Sequence, residues 1–366
     1  MFTLDSLARP VIGAPMAGGP STPELAAAVG EAGGLGFLAA GYKNAGTVAD
    51  QIARLRRISS RPFGVNLFVP DAANTYPAAG QDQGAGKAAA HIRRMEAART
   101  FRERLIAAAR QASAGTMVPE PGLPDPKDDD GWQAKLALVL RERVPVVSFT
   151  FGLPEPEVFA ELAAQGICSV VTVTDAVEAR AAVEAGADIL CVQGPEAGGH
   201  RGTLDSGKTP GEASLTDLLD QVGQACPLPL VAAGGISTPE DVSAALAAGA
   251  AAIQVGTLLL LSDEAGTGKV HRAALADAAQ GRRSSDTSLT RAFSGRPARG
   301  LINDFMRAHP DAPDAYPYIN QITGPLRAAA AAAGNPEAVS LWAGSGFRHA
   351  AEGPAGEILS RLIRAP

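Results

Sequence analysis

The sequence predicts an α/β fold, a TIM (β/α)8 barrel with an insertion after strand 3 and a C-terminal helical extension. Eight short apolar runs, which we interpret as strands, alternate with Ala-, Leu- and Glu-rich stretches of helical periodicity. This alternation indicates parallel strands joined by helical crossovers, and eight near-regular units favour a closed barrel. An open, doubly wound parallel sheet is the structural alternative.

The predicted elements follow one another along the chain in a regular order. The predicted strands are Val11–Pro15, Leu35–Ala39, Gly64–Phe68, Val144–Phe149, Ser169–Val173, Ile189–Gln193, Leu230–Ala233 and Ala252–Val255. The predicted helices are Thr22–Ala32, Thr47–Arg57, Pro154–Gln165, Ala176–Ala185, Ser214–Gln224 and Pro239–Ala248. Two of the helix starts carry a hydroxyl cap before a first-turn proline and acid, which is typical of a helix N-terminus.

The third unit is irregular, because residues 69–143 separate its strand from the next. We expect a loop over residues 70–86, a basic helix over Ala88–Ala112, a proline- and acid-rich stretch over Met117–Asp130, and a helix over Trp132–Leu140. An insertion after a barrel strand lies at the catalytic end and could act as a lid. A surface decoration without function is the alternative. We therefore divide the chain into a barrel over residues 1–261, this insertion, and a helical segment over 262–366 that closes the substrate pocket.

Composition excludes several classes of protein. The 32 basic and 38 acidic residues give a net charge of −6, and the absence of a prominent basic tract argues against nucleic acid or a membrane as partner. Cys168, Cys191 and Cys226 are too widely spaced for a metal site and are expected to be reduced. The N-terminus lacks a secretory signal, and no apolar run has the length of a membrane span. A cytoplasmic enzyme fits these features.

The most informative segment is the loop Gln193–Gly202, which follows the sixth predicted strand. Its only histidine, His200, is surrounded by four glycines, Gly194, Gly198, Gly199 and Gly202. Glycines let the backbone approach a flat ligand, and a histidine can transfer a proton near neutral pH. His200 is therefore the leading acid/base candidate, although a lone histidine is more often structural.

The ends of other strands predict a flavin. Gly234, Gly235, Gly256 and Thr257 follow the last two strands, where such barrels commonly bind phosphate through backbone N–H groups. Tight turns that need positive φ are the structural alternative. The amides of Asn66 and Gln193 interrupt apolar strands and need hydrogen-bond partners, which a planar heterocycle could supply. FMN is therefore favoured over NAD, for which no dinucleotide motif is present.

The same motifs, in the same order, resemble those of the nitronate monooxygenases, in particular the class I group. They include Pro15–Gly19, Gly33–Lys43, Gly64–Phe68, Val147–Gly152, Gln193–Thr203, Ala233–Ile236, Asp128–Leu136 and Ser340–Gly344. Each motif is weak alone, and together they cover nearly the whole chain. The resemblance implies an FMN-dependent barrel that oxidises alkyl nitronates, typically propionate 3-nitronate, with O2 and releases nitrite.

The resemblance also implies roles for individual residues. His200 matches the catalytic histidine, which takes the α-proton from a neutral nitroalkane. The positions that match flavin contacts are Met16, Ala17, Asn66, Gln193, Gly198, Gly199, Gly234, Gly235, Gly256 and Thr257. Tyr316 and Tyr318 lie in the region that lines the substrate pocket. Thr150 stands where some class I members carry a second histidine, which puts substrate anchoring in question.

Two other functions stay open at this point. One is an NAD(P)H-dependent FMN reductase of quinones or enoyl thioesters on the same barrel. The other is a flavin-binding or metabolite-sensing barrel without turnover. The sequence leaves the physiological nitronate and the oligomeric state undetermined.

Overall fold

The computed structural model describes residues 1–70, 81–112 and 119–363, without the side chains of residues 81–88 and 111–112. The strands are β1 (Val11–Gly13), β2 (Gly36–Ala39), β3 (Phe63–Phe68), β4 (Val146–Thr150), β5 (Cys168–Val173), β6 (Ile189–Gln193), β7 (Gly199–His200), β8 (Leu230–Ala233), β9 (Ala252–Val255), β10 (Thr287–Thr290) and β11 (Ala298–Leu301). Every one of the eight predicted strands is present, with ends that differ by at most two residues.

The eight predicted strands form one parallel sheet in the order β1-β9-β8-β6-β5-β4-β3-β2. A parallel bridge joins Ile12 in β1 to Leu35, immediately before β2. The Gly13 N–H also donates to the Leu35 carbonyl oxygen at 2.9 Å. These contacts bring the two ends of the sheet together, and the predicted (β/α)8 barrel is confirmed.

Helices surround this sheet. They are α1 (Pro23–Glu31), α2 (Ala45–Ile58), α3 (Gln81–Ala112), α4 (Trp132–Arg141), α5 (Pro156–Ala164), α6 (Ala176–Ala185), α7 (Leu215–Ala225), α8 (Pro239–Ala247), α9 (Lys269–Ala279), α10 (Asp304–Ala308), α11 (Tyr318–Ala332) and α12 (Ala355–Leu362), with short 3-10 helices at Leu4–Ser6, Thr257–Leu259, Pro336–Ala338 and Ser345–His349. Both predicted caps form: Thr22 accepts from Leu25 N, and Thr238 makes a capping box with Asp241.

The C-terminal segment contains strands as well as the predicted helices. β10 and β11 pair antiparallel, and β11 also pairs with β7, so that His200 lies opposite Ala298. The alternating patterns of β10 and β11 are only four residues long, too short to be distinguished from loop in the sequence. This small sheet joins the histidine loop to the C-terminal segment.

The last helix belongs to the ring around the barrel. α12 packs between α1 and α8, and its Ala355 and Leu359 are fully buried in the core that lies between the strands and the helices. The boundary at residue 261 stays a prediction, but the packing of the barrel extends beyond it.

The insertion supports the C-terminal segment. α3 begins at Gln81, so the predicted loop is shorter at its C-terminal end, and residues 71–80 of that loop lie outside the described residues. Phe101 of α3 packs in one cluster with Ile319 and Ile322 of α11. The described part of the insertion therefore forms a base for α11, and its predicted movement as a lid stays a prediction.

None of the helices in the described ranges combines the length and the apolar character that crossing a membrane requires.

Candidate functional site

A cavity of about 540 Å³ opens at the carboxyl ends of the barrel strands. This size and position are typical of a ligand site in such a barrel. Twelve of the fourteen residues predicted for the site line it: Met16, Ala17, Asn66, Thr150, Gln193, Gly198, Gly199, His200, Gly234, Gly235, Gly256 and Thr257. The fold thus brings together residues that are up to 241 positions apart (257 − 16).

Several of the glycines are required by their backbone conformation or by close packing. Gly234 and Gly235 have φ of 104° and 75°, a region that side chains rarely adopt. A Cβ at Gly198 would lie 2.4 Å from the Gly344 nitrogen. At Gly199 a Cβ would meet nothing within 4 Å, so this glycine leaves open space beside the backbone. Since Gly199 also has a positive φ, of 74°, the tight-turn explanation and the ligand explanation both apply to it.

Four chain segments meet at the glycine end of the cavity: those that follow β6, β8 and β9, and the segment around Gly344. Gly344 N donates to Thr257 Oγ1 at 2.9 Å, and Ser345 N donates to the Glu196 carbonyl at 3.1 Å. A Cβ at Gly346 would lie 2.7 Å from Ser237. The short helices Thr257–Leu259 and Ser345–His349 both begin here, and their first N–H groups favour an anion. Sequence reasoning assigned site residues to the three segments after β6, β8 and β9 and assigned none to the segment around Gly344.

Gln193 was predicted to face a flat ligand, but its side chain hydrogen-bonds the backbone of its own loop. Its Nε2 donates to the His200 carbonyl at 3.0 Å, and its Oε1 accepts from Gly202 N at 2.7 Å. The amide therefore closes the histidine loop on itself. Since these bonds use its oxygen and one N–H, they reduce what Gln193 can offer to a flat ligand.

Asn66 also has partners within the barrel. Its Nδ2 donates to Ser148 Oγ and to Thr150 Oγ1, both at 2.9 Å, on the neighbouring strand β4. The buried amide is thus satisfied in part across the sheet, as buried polar groups generally are. Thr150 therefore both accepts a hydrogen bond from Asn66 and lines the cavity.

His200 lies in an aromatic enclosure. Its Nε2 is 2.9 Å from Ser294 Oγ, and its ring centroid is 5.4 Å from that of Trp342 and 5.6 Å from that of Phe151. Burial and the charges of Arg296 and Arg327 lower the pKa of His200 to about 3. The imidazole is consequently neutral at physiological pH.

Two buried arginines hold the loop that carries His200. Arg201 donates to the carbonyl oxygens of Gln193, at 3.0 Å, and Gly194. Arg296 donates to the Arg201 carbonyl at 3.4 Å, and its guanidinium lies 4.2 Å from the centroid of the Phe151 ring. These cations fix the backbone on both sides of His200.

The two predicted substrate tyrosines differ in position. Tyr318 does not line the cavity: it is buried among α3 and α11 residues, and its hydroxyl is 3.1 Å from His91 Nδ1. Its helix turns this face toward the insertion, while Asn320, Gly324 and Arg327 of the same region line the cavity, and a part for Tyr318 in substrate binding stays a prediction. Tyr316 lies behind the lining, with its ring centroid 6.3 Å from that of His200. It hydrogen-bonds the Tyr42 hydroxyl, and Tyr42 does line the cavity.

Sequence reasoning missed other residues of the lining: Tyr42, Gln254, His271, Arg327 and Trp342. Gln254 had a usable signal, because it interrupts an apolar strand as Asn66 does. Arg327 and His271 come from helices far along the chain and had no such signal. In the described ranges, no group of three His, Cys, Asp or Glu side chains could hold a metal ion.

Comparison with known proteins is consistent across sequence and structure. The sequence profile of the family described as nitronate monooxygenase matches residues 3–365. A probable nitronate monooxygenase of Bacillus subtilis is 35% identical over 350 residues, which are 95% of this chain and 92% of that protein. A counterpart of Staphylococcus aureus is 33% identical over 365 residues, 98% of this chain and 94% of that protein.

Two solved structures match nearly the whole chain. The nitroalkane oxidase of Streptomyces ansochromogenes is 46% identical, with a TM-score of 0.86, over 98% of this chain and 96% of that one. FabK of Thermotoga maritima is 26% identical, with a TM-score of 0.69, over 98% of this chain and 93% of that one.

Proposed function

This chain belongs to the nitronate monooxygenase family, and we propose that it binds FMN and oxidises alkyl nitronates with O2. The proposed products are nitrite and a carbonyl compound, with propionate 3-nitronate as the model substrate. The observation that carries the proposal is the position of His200, which faces the same cavity as the glycine segments after β6, β8 and β9. A proton-handling group and an anion-favouring backbone site thus share one ligand space.

The described residues fit FMN. Gly234, Gly235, Gly256 and Thr257 would hold the phosphate, together with the backbone around Gly344. The open space beside Gly18 and Gly199 leaves room for a flat ring near the backbone. Asn66 and Gln254 would face that ring from the barrel strands. When bound, FMN supplies the redox chemistry, since it accepts electrons from the substrate and passes them to oxygen.

His200 has a defined part in the proposed reaction. Ser294 Oγ and the surrounding rings fix its orientation, and burial keeps the imidazole neutral. A group with such a low pKa is a weak base, so it is poorly suited to take the α-proton of a neutral nitroalkane. A nitronate has already lost that proton. The site therefore supports nitronates as substrates better than neutral nitroalkanes, and the neutral imidazole would orient the anion by a hydrogen bond.

The proposal is tested with purified protein and propionate 3-nitronate, by measuring oxygen uptake and nitrite. We expect turnover by the wild type and a roughly 10- to 100-fold lower kcat/KM for His200→Asn with the flavin retained, since a hydrogen bond to a charged group contributes about 1.5–3 kcal/mol. His349→Asn is the matched control, because His349 is exposed and outside the lining.

Other results would favour the alternatives. The proposal fails if no nitronate supports oxygen uptake. Rapid flavin bleaching by NADH without nitronate would indicate an NAD(P)H-dependent reductase instead, and bound FMN that neither reagent reduces would indicate a binding protein. The cytoplasm is the proposed location, since all three cysteines are buried free thiols.

A further inference from the structure

The charge on the cavity wall comes from one residue of the C-terminal segment. Of the described residues that line the cavity, Arg327 alone carries a permanent charge, and none is an aspartate or glutamate. Charged groups behind the lining include the Arg296 guanidinium behind Phe151, the Asp130 carboxylate, which pairs with Lys135 at 2.7 Å, and Glu196, whose side chain packs beside Gly235. The cavity wall thus presents a cation and no compensating anion.

Arg327 is held by Asn320 and keeps one N–H donor without a partner among the described residues. Its Nη2 donates to the carbonyl oxygen of Asn320 at 2.9 Å and to its Oδ1 at 2.7 Å. Its Nε is buried and has no hydrogen-bond partner among the described residues. An unpartnered N–H beside a cavity is costly unless a ligand accepts its hydrogen bond. The guanidinium is therefore oriented in advance and incompletely satisfied.

The neighbours of Arg327 place it at the His200 end of the cavity. Its charge acts on His200 and on Tyr42, both of which line the same space. Gly324, one turn earlier on α11, also lines the cavity, and a Cβ there would lie 4.0 Å from Arg327 Nη2. The absence of a side chain at position 324 leaves the guanidinium accessible from the cavity.

We propose that Arg327 is the anion-binding group of this site and makes it select anionic substrates over neutral ones. The proposal rests on the proposed function for the identity of the substrate. The ligand chemistry is a planar oxyanion, which a guanidinium binds through paired N–H donors. That oxyanion is either the nitronate group itself or a carboxylate elsewhere on the substrate.

A purely structural part for Arg327, as a clamp for α11, makes different predictions. Arg327→Met removes the charge and both bonds to residue 320, whereas Asn320→Ala removes only the bond to Oδ1 and keeps the charge and the bond to the backbone carbonyl. Arg102→Met is the matched control outside the lining, because Arg102 similarly donates to backbone carbonyls, those of Pro121 and Gly122. Only anion binding predicts a large effect confined to Arg327→Met.

The first experiment measures binding without turnover. Nitrate is a planar oxyanion that the reaction does not consume, and its dissociation constant can be measured by calorimetry on the flavin-loaded proteins. We expect Arg327→Met to weaken nitrate binding roughly 10- to 100-fold, and Arg102→Met and Asn320→Ala to change it less than about 3-fold. Equal nitrate affinity in the wild type and Arg327→Met would overturn the proposal.

The second experiment identifies the group that is bound. Steady-state kinetics compare ethyl nitronate with propionate 3-nitronate, and calorimetry measures the affinity for nitroethane, which is neutral until its α-proton is removed. Loss of kcat/KM with both nitronates would assign Arg327 to the nitronate group. Loss with propionate 3-nitronate alone would assign it to the carboxylate. An equal loss of affinity for nitroethane would overturn the proposed selectivity, since the unreacted nitro compound is not an oxyanion.

The two proposals fail in different ways. If the wild type oxidises no nitronate, the proposed function is wrong, and the nitrate measurement still tests Arg327. If the wild type turns over nitronates and the nitrate affinity of Arg327→Met is unchanged, the function stands and the part assigned to Arg327 is wrong.

Discussion

The cavity has two walls of different origin. The barrel wall comes from the loops after the strands and presents backbone, glycines and strand amides, as at Gly234, Gly256 and Asn66. The wall from the C-terminal segment presents long side chains, notably Arg327 and Trp342. Backbone groups suit a common cofactor phosphate, whereas side chains suit discrimination between substrates. This difference matches the two proposals made above, in which the barrel wall holds the cofactor and Arg327 of the C-terminal wall binds the substrate.

The junction between the two walls gives the largest predicted effect. In Gly198→Ala the new Cβ would lie 2.4 Å from Gly344 N and 2.6 Å from the Ala343 carbonyl carbon, both in the C-terminal segment. Since backbone rather than a flexible side chain must shift, we expect about 3 kcal/mol lower free energy of unfolding. Urea unfolding and flavin content measure the effect.

Gly211→Ala is the matched control, because a Cβ there meets nothing within 4 Å. If Gly198→Ala were as stable as Gly211→Ala and kept its flavin, the close packing between the walls would be unimportant.

One partly buried histidine on each wall gives the second prediction, which concerns the dependence of stability on pH. Burial lowers the pKa of His200 to about 3 and that of His271, whose Nε2 is 3.0 Å from the Trp342 carbonyl, to about 4. Below about pH 6.5 the unfolded chain binds protons that the folded protein does not, so stability falls with falling pH. Each histidine should lower the free energy of unfolding by about 2 kcal/mol when the pH falls from ~7.5 to ~5.

Replacement by glutamine tests each histidine separately. His200→Gln and His271→Gln should each lose about 2 kcal/mol less free energy of unfolding over this pH interval than the wild type does. His349→Gln, at an exposed position, should behave as the wild type. A wild-type pH dependence that neither buried-site variant reduces would show that both histidines are protonated in the folded protein.

Thr150 on the barrel wall gives the smallest predicted effect. Thr150→Val removes one acceptor from Asn66 Nδ2, which keeps its 2.9 Å bond to Ser148 Oγ. We expect a loss of about 1 kcal/mol of unfolding free energy and a modest rise in KM for nitronates.

Thr150→Ser keeps the hydroxyl and should restore both properties. An unchanged KM for Thr150→Val would show that Thr150 supports Asn66 and does not contact the substrate. A KM that rises with no loss of stability would instead indicate direct contact with the substrate.

Residues of the barrel wall could be predicted from the sequence for a physical reason. The carboxyl ends of the strands in a parallel barrel all lie at one face. A glycine or amide residue that follows a strand can therefore be placed at that face from the sequence. His200, Gly234 and Gly256 were found in this way. The partners of these residues were not found: the bonds from Gln193 to its own loop depend on the path of residues 194–202.

The C-terminal wall was decided by tertiary structure. The sequence by itself determined the barrel, because periodicity and helix caps are local properties of the chain. It also indicated the residues that follow a strand, such as His200 and Gly234, as residues of the carboxyl face. The position of Arg327 beside His200, and of Tyr318 away from it, depends on how α11 lies between the insertion and the cavity. That orientation results from packing between distant segments, which no local pattern encodes.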